Sequence, residues 1–200
     1  MKIVVIGGTG TLGQAIVKQL KPRHHVIVAS YQYGDICVDI TDMESIKQMY
    51  QTIGDIDAVI AATGKVKFAH FSDMTTDDYY LGIHNKLMGQ VNLVLIGKDY
   101  LNAGGSFTLT SGILNHDPIR TGSAAAMING ALEGFVKGVA IEMPNNLRIN
   151  LVSPTVFIES MPLYENYFRG FEPIPAAKAA LSYTKSVEGS QTGQIYRVGY

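Results

Sequence analysis

Met1-Lys2-Ile3-Val4-Val5-Ile6-Gly7-Gly8-Thr9-Gly10-Thr11-Leu12-Gly13 opens the chain and reads as a strand, a glycine turn and the start of a helix. Lys2 to Ile6 is a short β-branched run, and Gln14 to Leu20 continues with helical spacing. Two glycine patterns overlap here. Gly8, Gly10 and Gly13 give G-x-G-x-x-G, and Gly7, Gly10 and Gly13 give G-x-x-G-x-x-G. A turn without side chains lets the backbone approach a pyrophosphate, and the helix behind it offers unpaired N–H groups and a partial positive charge. Placement after a strand and before a helix separates this pattern from an ordinary glycine-rich turn. Gly7, Thr9, Gly10, Thr11, Leu12 and Gly13 are therefore the expected phosphate-binding residues of a dinucleotide site.

Apolar strand-like runs and helical segments alternate along the rest of the chain. His25–Ala29 and Asp35–Val38 read as the next strands, followed by a helix over about 42–53 capped by Thr41 or Asp42. Ile56–Ala61 is a fourth strand, about 76–101 a long helix, and Gly105–Thr110 a fifth strand. A second long helix covers about 122–142 and stops before Pro144. Leu147–Val152 is a sixth strand, Ala176–Val187 a helix, and Gly193–Val198 the last strand. This order predicts an α/β fold: a Rossmann-type, doubly wound parallel sheet of about seven strands, covered by helices on both faces in three layers. Ligands of such sheets bind at the carboxyl ends of the strands. The expectation is one domain over residues 1–200, with Ser153–Pro175 as a long irregular substrate loop that holds four of the seven prolines.

Composition narrows the function classes. The net charge of −1 and the lack of a basic run argue against a nucleic-acid partner. Cys37 is the only cysteine, so no intrachain disulfide forms, and its apolar neighbours Ile36 and Val38 place it in the core. No apolar run reaches the ~18 residues that span a bilayer, and Met1-Lys2 leads straight into a strand without a signal peptide. The expectation is a soluble cytoplasmic protein without a membrane partner. No His, Cys, Asp or Glu spacing suggests a metal site.

Beyond the glycine turn, several segments in the same order resemble the short-chain dehydrogenase/reductase family over essentially the full chain. Asp39-Ile40-Thr41 is similar to the family segment that contacts adenine after the third strand. Ala61-Ala62-Thr63-Gly64 stands where the family has Asn-Asn-Ala-Gly. Thr108-Leu109-Thr110-Ser111 resembles the fifth strand ending in the catalytic serine. Ala131-Leu132-Glu133-Gly134-Phe135-Val136 and Ala140-Ile141-Glu142 resemble the fifth helix. Arg148 to Pro154 resembles the sixth strand entering the nicotinamide loop, and Thr192-Gly193-Gln194-Ile195 matches the closing strand. The resemblance implies cofactor contacts from Asp39, Ile40, Ala61, Ala62, Thr63, Gly64, Thr110, Pro154, Val156 and Phe157.

The active-site pattern departs from the family. Its members use Tyr-x-x-x-Lys on the fifth helix, where the tyrosine moves the proton and the lysine lowers its pKa and holds the ribose. Counting back from Ala131 and Gly134 puts Ala125 at the tyrosine position and Asn129 at the lysine position; none of the eleven tyrosines has a lysine four residues on. The fourth-helix asparagine aligns best with Lys86, one residue after Asn85, and Thr155 stands where the family has glycine. A subgroup with an intact glycine motif and no standard catalytic residues is similar in this respect. Three replacements are available. Ser111 either binds a carbonyl or caps the strand end. Lys86 is either a pKa-lowered lysine in an apolar pocket or a solvated helix residue. His116, five residues past Ser111, either overhangs the pocket or lies exposed.

The second strand ends Val28-Ala29-Ser30-Tyr31, without the acid that usually binds the 2′-hydroxyl of NAD and without an arginine for a 2′-phosphate. Ser30 and Tyr31 are expected beside the adenosine, where Tyr31 either stacks on adenine or stays a surface residue. The cofactor is NADP or NAD, with a lean to NADP because no acid repels the extra phosphate. The two long helices carry many small residues, and in the family they pair across a two-fold axis, so a homodimer or homotetramer is expected. Two functions follow. One is an oxidoreductase acting on a small carbonyl or alcohol with non-standard residues; the other is a catalytically inactive NAD(P)-binding regulator or sensor.

Overall fold

The computed structural model describes residues 1–200. Its elements are β1 (Lys2–Ile6), α1 (Thr11–Leu20), β2 (His25–Ser30), β3 (Ile36–Cys37), α2 (Met43–Ile53), β4 (Ile56–Ala61), α3 (Thr76–Gly82), α4 (Met88–Gly97), β5 (Leu101–Thr110), α5 (Ser123–Val139), β6 (Arg148–Pro154), α6 (Met161–Tyr164), α7 (Ala176–Glu188) and β7 (Ile195–Val198). All seven strands are parallel, in the order β3-β2-β1-β4-β5-β6-β7. The expected Rossmann-type sheet is therefore present.

The β-branched composition of β1 follows from its position inside the sheet, between β2 and β4 and buried on both faces. Val4 and Ile6 pack with Ile46 of α2, Leu93 of α4 and Leu132 of α5, while Ile3 and Val5 pack with Ile16 of α1 and Tyr183 of α7. Strand order reverses between β1 and β4, so a crevice opens beyond their carboxyl ends. There Ile6 pairs with Ala29 on one side and Ala61 on the other, and the chain leaves each strand into Gly7, Tyr31 or Ala62.

Three local expectations are corrected. The helix expected over about 76–101 is interrupted: α3 and α4 are separated by a π turn, Ile83–Leu87, and Leu101 already begins β5. Cys37 is exposed, because β3 is a two-residue edge strand with only β2 beside it. Ser153–Pro175 is not wholly irregular, since Ser153 and Pro154 end β6 and Met161–Tyr164 form α6. Helix boundaries also differ. α1 starts at Thr11, and α5 ends at Val139. Asp42 caps α2, its carboxylate accepting from Glu44 N at 2.9 Å.

Candidate active site

The glycine turn forms one wall of a groove of about 550 Å³ at the strand switch. Gly7, Thr9, Gly10, Ser30, Tyr31, Asp39, Ile40, Ala62, Thr63 and Gly64 line it, joined by Lys65 and Asn85. Gly7 adopts φ +80, and a Cβ there would lie 2.4 Å from the Ala62 carbonyl oxygen. A Cβ on Gly13 would lie 2.0 Å from the Gly7 oxygen, so this residue lets α1 pack against the turn and does not itself face the groove. α1 has no side-chain cap, which leaves its first N–H groups available to an anion. The cradle fits a dinucleotide pyrophosphate. Ala61, at 0 % exposure, is a core residue whose carbonyl accepts from Thr110 Oγ1 at 2.6 Å. Thr11 also lies outside the groove lining, at the start of α1.

Gly64 joins this groove to a second cavity of about 230 Å³. Leu12, Thr110, Ser111, Pro154, Val156 and Phe157 line that cavity, with Lys86 and Asn129. Its far wall is Phe68, Ile113, Leu114 and Phe168, under a cluster of rings in which Tyr164 lies 6.1 Å from Phe68 and 6.3 Å from Phe168. Buried Gln90 on α4 fixes the end of β5: its Nε2 donates to the Thr110 carbonyl at 2.9 Å and its Oε1 accepts from Thr110 N at 2.8 Å. The next residue, Ser111, is 5 % exposed, and its Oγ has no hydrogen-bond partner in the protein. It is therefore not engaged as a cap.

Lys86 enters from the π turn. Its Nζ donates to Asn129 Oδ1 at 2.8 Å and to the Ser111 carbonyl at 3.3 Å. Asn129 is oriented in turn by donation from its Nδ2 to the Gly112 carbonyl at 3.1 Å. The extra backbone of a π turn is what swings this side chain inward, and Asn85 anchors the turn by accepting from Lys65 N at 2.7 Å. Gly64 at φ +129 makes room, since a Cβ there would lie 2.5 Å from Lys86 Cγ. Lys86 keeps partial access to the cavity, yet the protein packed around its ammonium lowers the pKa to about 8 by desolvation. Two of the three ammonium N–H groups are used, so one remains free to donate.

His116 does not join this cluster. Its Nε2 lies 2.8 Å from Glu133 Oε1 and 3.2 Å from an Arg197 nitrogen, and the residue is absent from the cavity lining. Burial alone would raise the Glu133 pKa, but hydrogen bonds from Asn115 and His116 outweigh it and leave the carboxyl below its usual value. Asn129, which the sequence resemblance set at the family's lysine position, acts as an oriented acceptor; Phe68 and Leu114, not foreseen in the sequence, form the apolar wall together with Phe168 of the expected substrate loop.

Residues 9–186 match the family model described as Enoyl-(Acyl carrier protein) reductase. The crystal structure of the Listeria innocua protein lin1944 is 50 % identical, with 98 % of each chain covered and a TM-score of 0.97. The chain belongs to the short-chain dehydrogenase/reductase family. Members of this family are NAD(P)-dependent oxidoreductases, and the cradle and sheet described above are the parts that role requires. A small-chain dehydrogenase solved in complex with NADPH is 28 % identical, covering 99 % of this chain and 96 % of that one, with a TM-score of 0.88. L-xylulose reductase of Mesocricetus auratus is 23 % identical over 178 residues, which span 80 % of this chain and 73 % of that protein. Lys86 and Asn129, which the sequence resemblance sets at the family's asparagine and lysine positions, are hydrogen-bonded to each other here. No helix of the structure is long and apolar enough to cross a membrane.

Proposed function

We propose that this protein reduces a small carbonyl compound with NADPH and that Lys86 supplies the proton. The observation that carries the reading is the free N–H of Lys86 and the unpartnered hydroxyl of Ser111 in the lining of one apolar cavity, which meets the dinucleotide groove at Gly64. When bound, reduced nicotinamide supplies the hydride to the carbonyl carbon. Ser111 Oγ holds the carbonyl oxygen by donating to it. Lys86 gives that oxygen a proton as the C–O double bond becomes single; the product is the alcohol, and the neutral amine regains its proton from solvent. Asn129 keeps the ammonium aimed without neutralising it. Positioned acid catalysis of this kind is worth about 10²- to 10⁴-fold.

The absence of an acid after β2 supports NADP over NAD, as does the NADPH complex of a related dehydrogenase. Residues 153–175 serve as the substrate loop of a single domain, with Tyr164 and Phe168 over the cavity. A thermal-shift screen with NAD⁺, NADH, NADP⁺ and NADPH, followed by a carbonyl panel with the cofactor that binds, tests the reading. Binding without turnover across aldehydes and ketones overturns the catalytic part and favours an inactive, dinucleotide-sensing protein.

Asn129→Asp places a carboxylate where an amide oxygen now lies 2.8 Å from the ammonium. An opposite charge that close raises a lysine pKa by about one to three units. Reductase activity in the wild type falls as pH rises through about 8, because the donor must be protonated. In Asn129→Asp the fall moves to higher pH. An unchanged kcat profile removes Lys86 from the proton step.

Assembly into a dimer through α4 and α5 is part of the proposal. Ala125 does not serve it, being 3 % exposed and turned into the cavity. Met127, Ala131, Gly134 and Gly138 instead form an outward stripe on α5, and a Cβ at Gly134 would meet nothing within 4 Å. Gly134→Glu therefore leaves the protomer folded and converts the dimer to a monomer in light scattering. An unchanged mass for the variant, or a monomeric wild type, refutes this interface.

A further inference from the structure

The cavity holding Lys86 is polar at one end only. Ser111, Lys86 and Asn129 form that end, and Val66, Phe68, Ile113, Leu114, Val156 and Phe168 are among the apolar side chains of the remainder. Lys86 is the one cation in the lining, which contains no carboxylate, arginine or histidine. Thr155, Ser160 and Tyr164 add single hydroxyls spread along otherwise apolar walls. The polar end thus offers donors for one ligand oxygen: the unpartnered Ser111 hydroxyl and the third N–H of Lys86.

We infer that the substrate is a small, uncharged, apolar ketone or aldehyde, bound with its carbonyl oxygen between Ser111 and Lys86 and its aryl or branched alkyl group against Phe68, Leu114 and Phe168. This assignment rests on the reductase reading above and deepens it. Size sets one limit. The cavity is about 230 Å³ and open on one side, and the nicotinamide has to share it. About 150 Å³ already accommodates a benzene ring, so one ring or a short branched chain is the fitting scale. Chemistry sets two more. A polyhydroxylated substrate would bring several hydroxyls against apolar walls, where each loses water without gaining a partner. A 2-oxo acid needs a cation for its carboxylate and a separate donor for its carbonyl. With one cation present, its carboxylate would pair with Lys86 and displace the carbonyl from the proton donor.

Three alcohols test the pocket without turnover, because an alcohol does not react when the cofactor is already reduced. In the presence of NADPH, 1-phenylethanol binds the wild-type protein at least tenfold more tightly than mandelate or xylitol, measured by titration calorimetry. Phe68→Ser weakens 1-phenylethanol by about tenfold and leaves xylitol unchanged. In turnover with NADPH, acetophenone exceeds phenylglyoxylate and xylulose by about 10²-fold or more in kcat/KM. Tighter binding of mandelate or xylitol than of 1-phenylethanol overturns the assignment, as does no binding of 1-phenylethanol at millimolar concentration. Selective binding of 1-phenylethanol with no reduction of any carbonyl upholds the pocket's chemistry and refutes the reductase reading instead.

Discussion

Lys86→Met lowers kcat by about 10²-fold or more while leaving the affinity for the dinucleotide nearly unchanged. Methionine keeps the unbranched stem that passes under Gly64 but has no proton to give. It also removes a desolvated cation, whose lowered pKa marks a cost to the fold while it is charged. The sign follows from linkage. Between the folded pKa of about 8 and the ordinary lysine value of 10.5, the unfolded chain binds more protons, so wild-type stability gained from this group rises with pH across that window. The variant lacks this rise, and its thermal midpoint near neutral pH is not reduced by loss of the ammonium. Steady-state kinetics together with dinucleotide titration separate the outcomes. If cofactor binding weakens while kcat holds, Lys86 is a ribose clamp and not the donor. A restorative experiment completes the series: Ala125→Tyr with Asn129→Lys supplies the family's usual pair, and a gain in reductase rate over Lys86→Met alone would show that the cavity geometry is intact.

Gly10→Leu abolishes dinucleotide binding and leaves the fold in place. Gly10 has φ −79 and ψ 172, open to any residue, and the nearest atom to an added Cβ is the Gly7 oxygen at an ordinary 3.4 Å. A leucine there projects into the groove where the pyrophosphate has to approach the backbone. For the wild type, a dinucleotide at one hundred times its Kd stabilises the native state by about 2.7 kcal/mol; the variant shows no shift. Gly13→Ala behaves differently. Its Cβ would collide with the Gly7 backbone at 2.0 Å, so the melting temperature falls even without ligand. A Gly10→Leu protein that still shifts with NADPH places the cofactor elsewhere.

These contrasts mark what could be read from residue order. The strand, glycine turn and helix at residues 2–20 are local, and the sheet follows from alternation of apolar runs with helices. The π turn was not legible, because Ile83–Leu87 has the same apolar spacing as an uninterrupted helix and one surplus residue leaves no compositional mark. The exposure of Cys37 depended on the edge position of β3, a property of strand order and not of its apolar neighbours. The contact of Lys86 with Asn129 joins residues 43 positions apart on different helices, which periodicity cannot reveal. His116 lies near Ser111 in sequence, but its partners Glu133 and Arg197 come from α5 and β7 and draw it out of the cavity.

The π turn between α3 and α4 makes the position of Lys86 a matter of residue count. A π turn holds one residue more than an α-helical path between the same ends, and each residue of an α-helix advances the side chains by roughly 100°. Deleting one residue from α3 would let an unbroken helix form and turn the ammonium away from Ser111, while α4 kept its packing beneath the sheet. The placement of the proposed proton donor is thus tied to a single residue of chain length. A length change that a loop would absorb without effect would here withdraw Lys86 from the cavity and leave the scaffold standing.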